Sequence, residues 1–304
     1  MPGPSGARLH RSERALGWLV ALMVAGAATS SCARIQDNST EELIALVQSG
    51  EYNGATGKGE ACDAAYNLGL REATEAVDEL IAALSGPAVD CTALALGQIG
   101  DLRAVEPLLT ALGELREPSL AHPYEEDKME FDSADEALVA IGAPAVESLL
   151  TIAASGDENT RDLVTYVLGR IRDSRAETYL LGRLKAPNAA KNSRGQLEAD
   201  ALARIFGDQT DHLLPLLQSK ETVAIAYGLV GLGRPGTEAA LSEALMQFGD
   251  EFLATFYLNA GNDDLRSAAL DWALANGYEL KLQTEIPGDS ADPPSWGAMG
   301  ADAS

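Results

Sequence analysis

The sequence predicts an all-α protein, a solenoid of stacked helix pairs, on three observations. Ala and Leu number 51 and 43 among 304 residues, close to a third of the chain, and both favour helix. Aromatic residues make up only 5%, and β-branched residues are too sparse for a large sheet, which disfavours all-β and doubly wound α/β folds. The chain also repeats itself: Ala64-Ala-Tyr-Asn-Leu-Gly-Leu70 and Thr92-Ala-Leu-Ala-Leu-Gly-Gln98 stand 28 residues apart.

The first 31 residues read as an address. Arg8, Arg11 and Arg14 precede the apolar run Ala15 to Ala28, which is followed by Thr29, Ser30, Ser31 and Cys32. This is the three-part layout of an export signal. Fourteen apolar residues fall short of the roughly 20 that cross a bilayer as a helix. The small residues ending at Cys32 resemble a bacterial lipobox, with Thr29 where an aliphatic residue is usual, and that resemblance implies lipidation of Cys32 after cleavage. Ordinary secretion and an uncleaved anchor are the alternatives. All three place the body outside the cytoplasmic membrane, in the cell envelope, and Ala33 in place of an Asp points away from inner-membrane retention. Membrane attachment is then expected through the N-terminal lipid only. Removing residues 1–31 takes away a net +2 from a chain of −24 and leaves −26, which anionic lipid and nucleic acid both repel.

Residues 32–58 read as a linker and a capping helix, because Ser39-Thr-Glu-Glu42 is a capping box opening a helix over 41–48. The repeat array is expected over 59–286. Residues closing successive first helices are Leu70, Ile99, Ile141, Ile171, Phe206, Leu232 and Ala260, which gives about seven pairs. Within a unit, Val105, Leu108, Leu109 and Leu112 form one apolar stripe that a lone pair cannot bury but stacked neighbours can. Gly100, Gly142, Gly207, Gly233 and Gly261 stand where left-handed C-caps are expected. Pro107 and Pro144 stand near the starts of second helices, where a missing N–H is tolerated.

Leu96-Gly-Gln-Ile-Gly-Asp-Leu-Arg-Ala-Val-Glu-Pro-Leu-Leu109 resembles the short HEAT-like repeats also found in phycobilisome lyases, and Leu168-Gly-Arg-Ile-Arg-Asp-Ser-Arg-Ala176 is a second copy. The resemblance implies a right-handed α-solenoid and a binding role. A bilin-lyase activity is a remote alternative, because an exported acidic chain would be separated from phycobiliproteins. The di-iron His-Glu pairs of some HEAT-like proteins are missing, since His122 precedes Pro123 and His212 precedes Leu213.

No nucleophile triad, phosphate loop or metal-spaced His/Cys set is legible, so no catalytic residue, cofactor or metal is expected. Asp101 with Arg103, and Asp173 with Arg175, read as ties between adjacent turns. Asn262-Asp-Asp264 and Asp289 to Asp292 could attract a cation, but neither has EF-hand spacing. Cys62 and Cys91 are 29 residues apart against a period of 28, almost level on neighbouring first helices; a disulfide or two buried thiols are both open. An insertion at 114–133 carries Tyr124, Glu125, Glu126, Asp127, Met129 and Phe131, which either contact a partner or fold back on the solenoid. A basic stretch at 186–195, with Lys191 and Arg194, reads as a linker. The tail 287–304, rich in Pro, Gly, Ser and Asp, is expected to be disordered, with Trp296 incidental. The function expected is a non-enzymatic interaction scaffold of the envelope, engaging an envelope protein with a basic surface. An enzyme or accessory subunit with an illegible site, or an acidic cation- or ligand-binding surface, is the alternative.

Overall fold

The computed structural model describes residues 37–49, 59–115, 133–186, 195–281, 296, 297 and 299. Among these every regular element is a helix and none is a strand. In chain order they are α1 (Thr40–Ser49), α2 (Glu60–Leu70), α3 (Val77–Ala83), α4 (Val89–Ile99), α5 (Val105–Leu115), α6 (Ser133–Ile141), α7 (Val146–Ser155) and α8 (Glu158–Ile171). They continue as α9 (Glu177–Leu184), α10 (Gln196–Phe206), α11 (Thr210–Leu213), α12 (Ile225–Leu232), α13 (Glu238–Phe248), α14 (Glu251–Asn259) and α15 (Asp263–Asn276). From α2 onward they run as first and second helices joined by short turns, an arrangement consistent with an α-solenoid.

The elements begin and end for local reasons. Ser39 and Glu42 form the capping box of α1 reciprocally, Ser39 N–H donating to Glu42 Oε2 at 2.8 Å and Glu42 N–H to Ser39 Oγ at 3.3 Å. Gly100 caps α4 with φ +74°, as its position suggests, whereas Gly207, at the cap of α10, is right-handed with φ −54°. In the fourth unit Arg172 takes the left-handed position, φ 59°, that Gly100 fills in the second. The second helix of the fifth unit is broken: α11 has four residues and passes into a 3-10 turn, Leu214–Gln218. Pro215 lacks the N–H and the room that a continuing α-helix needs.

Packing follows the order of the chain. α2 lies on α4, α4 on α6, α8 on α10 and α10 on α12, so each first helix meets the next. Small residues permit the close approach. A methyl added to Gly97 would stand 2.6 Å from Ala137 Cα, and one on Gly169 would stand 2.8 Å from Ala201 Cα. One apolar core runs without interruption from Leu43 in α1 to Ala273 in α15. Cys62 and Cys91 are joined by a disulfide between the first turns of α2 and α4, with Cα atoms 5.1 Å apart. Glu114 and Leu115 belong to α5 and Ser133 opens α6, so the insertion is shorter at both ends than the sequence suggests.

The tail differs from expectation. Trp296 N–H donates to Ala260 O at 2.7 Å and Gly297 N–H donates to Val230 O at 3.1 Å, while the Trp296 side chain packs on the core. Two backbone hydrogen bonds and one indole are enough to dock a short segment, and overall composition does not register them.

The close first-helix contact is directly testable. Gly97→Val should lower stability by about 1–3 kcal/mol, because the side chain meets backbone at Ala137. Gly182→Ala, inside α9 with open space around it, should raise stability by about 1 kcal/mol. Urea unfolding followed by circular dichroism measures both.

Candidate interaction surface

Two kinds of side chain line this array: those that tie repeats together and those left facing outward. The ties repeat themselves. Asp101 Oδ1 accepts from the Arg103 backbone N–H at 2.9 Å, and the Arg103 guanidinium reaches back to Asp78 Oδ1 at 2.7 Å and Thr74 O at 3.1 Å. Asp173 accepts from Arg175 N–H at 2.9 Å in the same way, and the Arg175 guanidinium reaches Glu147 at 3.5 Å and the Ala143 carbonyl. In each unit the Arg holds its Asp below the usual carboxylate range. The arginines are exposed and the two Asp residues half-buried, so the pairs are worth little individually. Their partners are turns of the preceding unit, so they act as spacers and not as acid–base machinery.

The outward side of the first helices forms a strip of residues one turn apart. In α2 these are Tyr66 and Leu70, in α4 Leu94 and Gln98, in α6 Glu136 and Ala140. Tyr66, Leu70 and Leu94 are 54%, 57% and 40% exposed, large apolar groups left in water. Along the chain the strip changes character. In α8 the equivalent pair is Tyr166 and Arg170, half-buried and turned onto the buried Asp135 of α6, with the Tyr166 hydroxyl donating to Asp135 Oδ2 at 2.8 Å. In α10 it is Asp200 and Arg204, paired at 2.9 Å, and burial pushes the Asp200 carboxyl upward. In α12 the pair is Tyr227 and Gly231, both buried: Tyr227 stands edge-on to Phe256 at 4.8 Å, and Met299 lies over Gly231.

A second ionic group backs the middle of the strip. Arg183 of α9 donates to Glu198 Oε1 at 2.9 Å, lies 3.1 Å from Glu158 Oε1 and pairs with Asp162. One guanidinium is shared among three carboxylates. Burial disfavours the Arg183 charge, but Glu198 and Asp162 outweigh it and raise its pKa. Burial, with Glu198 and Glu158 nearby, pushes Asp162 up to about 6 despite Arg183.

Of the residues expected to matter, Cys32, Tyr124, Glu125, Glu126, Asp127, Met129 and Phe131 lie outside the described residues, as do His122 and Asp289 to Asp292. His212 lies at the surface, 2.7 Å from Glu177 Oε1 and tilted against Phe206. Asn262 caps α15, its side chain accepting from the N–H groups of Asp264 and Leu265. Among the described residues no group of three or more His, Cys, Asp or Glu is placed to hold a metal. Sequence reasoning missed the strip and its ionic middle. The signal was present in the shared register of Tyr66 and Leu94 and in charged residues at first-helix positions that are apolar in α2.

Stacked helix pairs with ties between successive units define the class: an all-helical repeat protein. A family model described as the PBS lyase HEAT-like repeat matches residues 92–114, which span most of α4 and α5, so the chain contains a HEAT-like repeat there. Among curated proteins none matches it.

The raised Asp162 carboxyl fixes a pH dependence. Its folded pKa, about 6, lies above the ordinary value of 3.8, so folding takes up a proton between the two. That contribution is full below the ordinary value and is lost as pH rises through about 6. The stability of the wild type relative to Asp162→Asn should therefore fall from pH 4 to pH 7, by at most about 3 kcal/mol. Urea midpoints across that range measure it.

Proposed function

We propose that this protein is a non-enzymatic scaffold whose first-helix strip binds another protein, on a right-handed solenoid of about seven helix pairs. The observation that carries this reading is the exposure of Tyr66, Leu70 and Leu94 in one register on two adjacent first helices. Large apolar groups grouped on a rigid surface are what an interface hot spot is made from. The HEAT-like match supports a binding role at the level of the repeat, since such repeats generally serve as interaction scaffolds. The net charge of −24 favours a partner with a basic surface and speeds its approach.

The setting belongs to the same proposal. Arg8, Arg11 and Arg14, the apolar run and Cys32 support export and lipid attachment, which hold an acidic body at the envelope membrane. Among the described residues no single helix is long and apolar enough to cross a membrane.

Crosslinking in the native envelope tests the surface. Tyr66→Asp with Leu94→Asp should abolish the principal crosslinked product while leaving the melting temperature within a few degrees, since both side chains are solvent-exposed. An unchanged product would remove the strip as the interface. Metabolic labelling with a clickable fatty acid tests the anchor: the wild type should carry label and Cys32→Ala should carry none.

A further inference from the structure

The strip ends under the chain's own tail. At its C-terminal end, α12 and α14 pack on each other more sparsely than other neighbouring first helices do, and Trp296, Gly297 and Met299 lie there. The segment binds as a ligand would. Its backbone N–H groups donate to Ala260 O at the end of α14 and to Val230 O in the last turn of α12, where Val230 O also accepts the Gly233 N–H at 3.0 Å and uses its second lone pair for the segment. Gly297 comes so close to Gly233 that a side chain on Gly233 would collide with its backbone. Met299 covers Gly231, where a methyl would stand 2.8 Å from Met299 Cε. Glycines at 231 and 233 thus leave the room that the segment fills.

Resting on the scaffold reading, we propose that the notch between α12 and α14 is a binding site for a short peptide segment that turns at a left-handed glycine, filled in cis by Trp296, Gly297 and Met299. The ligand it takes has a large aromatic residue, then glycine, then a flexible apolar residue two places on, with backbone N–H groups for two helix-end carbonyls. Residues 282–295 join the segment covalently to the end of the array, so its docking is intramolecular. A cis segment of modest affinity therefore holds the notch closed. A partner segment of the same pattern enters only when the tail leaves, so the tail limits access to one end of the strip.

The test uses full chains and a fluorescein-labelled synthetic peptide of residues 290–304, read by anisotropy. Trp296→Ala with Met299→Ala, made in the full chain, should vacate the notch and bind the peptide about tenfold more tightly than the wild type, whose notch is occupied. The same peptide with Ala in place of its Trp should not bind. Adding Gly231→Leu to the vacated chain should abolish binding while leaving its far-ultraviolet circular dichroism intact. Equal binding by vacated and wild-type chains, binding of the Trp-free peptide, or binding that survives Gly231→Leu would each overturn the proposal. None of these readouts involves the exposed residues of α2 and α4 or a native partner, so failure here leaves the scaffold reading standing, and loss of the envelope crosslink leaves this one standing.

Discussion

The close passage of successive first helices is the constraint on which the rest of this molecule depends. Gly97 against Ala137 and Gly169 against Ala201 bring backbones near enough that no larger side chain fits between them. Where the spacing is that short, the Leu residues behind it, such as Leu96, Leu138 and Leu168, form one dry layer and are fully buried. A core built this way is stabilised by interfaces between neighbours and by little else. The disulfide between Cys62 and Cys91 reinforces the first of these interfaces, beyond which, among the described residues, stands only the short α1.

Close packing of first helices also determines what their outward side can be. Residues one turn apart on α2 and α4 have no neighbour to cover them, so Tyr66, Leu70 and Leu94 remain in water. In the middle of the array the same positions carry Tyr166, Arg170, Asp200 and Arg204, whose charges are neutralised locally. Buried ion pairs of this kind contribute less to stability than their short distances suggest, because desolvation offsets much of the attraction. Their effect is to make the middle of the strip poor in sticky apolar surface. On the proposed scaffold reading, contact with another protein would be concentrated towards the two ends, one open and one under the tail.

Much of the fold was legible in the sequence because helix-pair repeats write their register into spacing. The capping box at Ser39–Glu42, the turn ties of Arg103 and Arg175 and the level placement of Cys62 and Cys91 each follow from a local rule acting over a few residues or one period. Legibility ended where the determinant was three-dimensional. Gly207 stands at the cap of α10 as its spacing suggests, yet it takes a right-handed conformation there and not the left-handed one. Arg172 adopts a left-handed conformation that its residue type does not advertise. The docking of Trp296 could not be read from a segment rich in Pro, Gly, Ser and Asp, because two hydrogen bonds and one ring leave no trace in composition. The strip was missed for a related reason: exposed Tyr and Leu on an amphipathic helix look like core until the neighbouring helix is placed.

The acidic charge bears on how such an array holds together. Arg103, Arg170, Arg175, Arg183, Arg204 and Arg234 are each engaged by carboxylates within a unit or between adjacent ones. The scarce cations are therefore placed where helices meet, and the excess of acids is left to the outer surface. Repulsion among those acids falls with distance and is screened by salt, so it acts mainly within a unit and between adjacent ones, where the Arg ties offset it locally. What remains is a negative long-range field, and on the proposed reading it would draw a basic partner while the exposed Tyr66, Leu70 and Leu94 would supply short-range contact. Attraction at a distance and adhesion at contact thus reside on different residues, and either can be altered without unfolding the other.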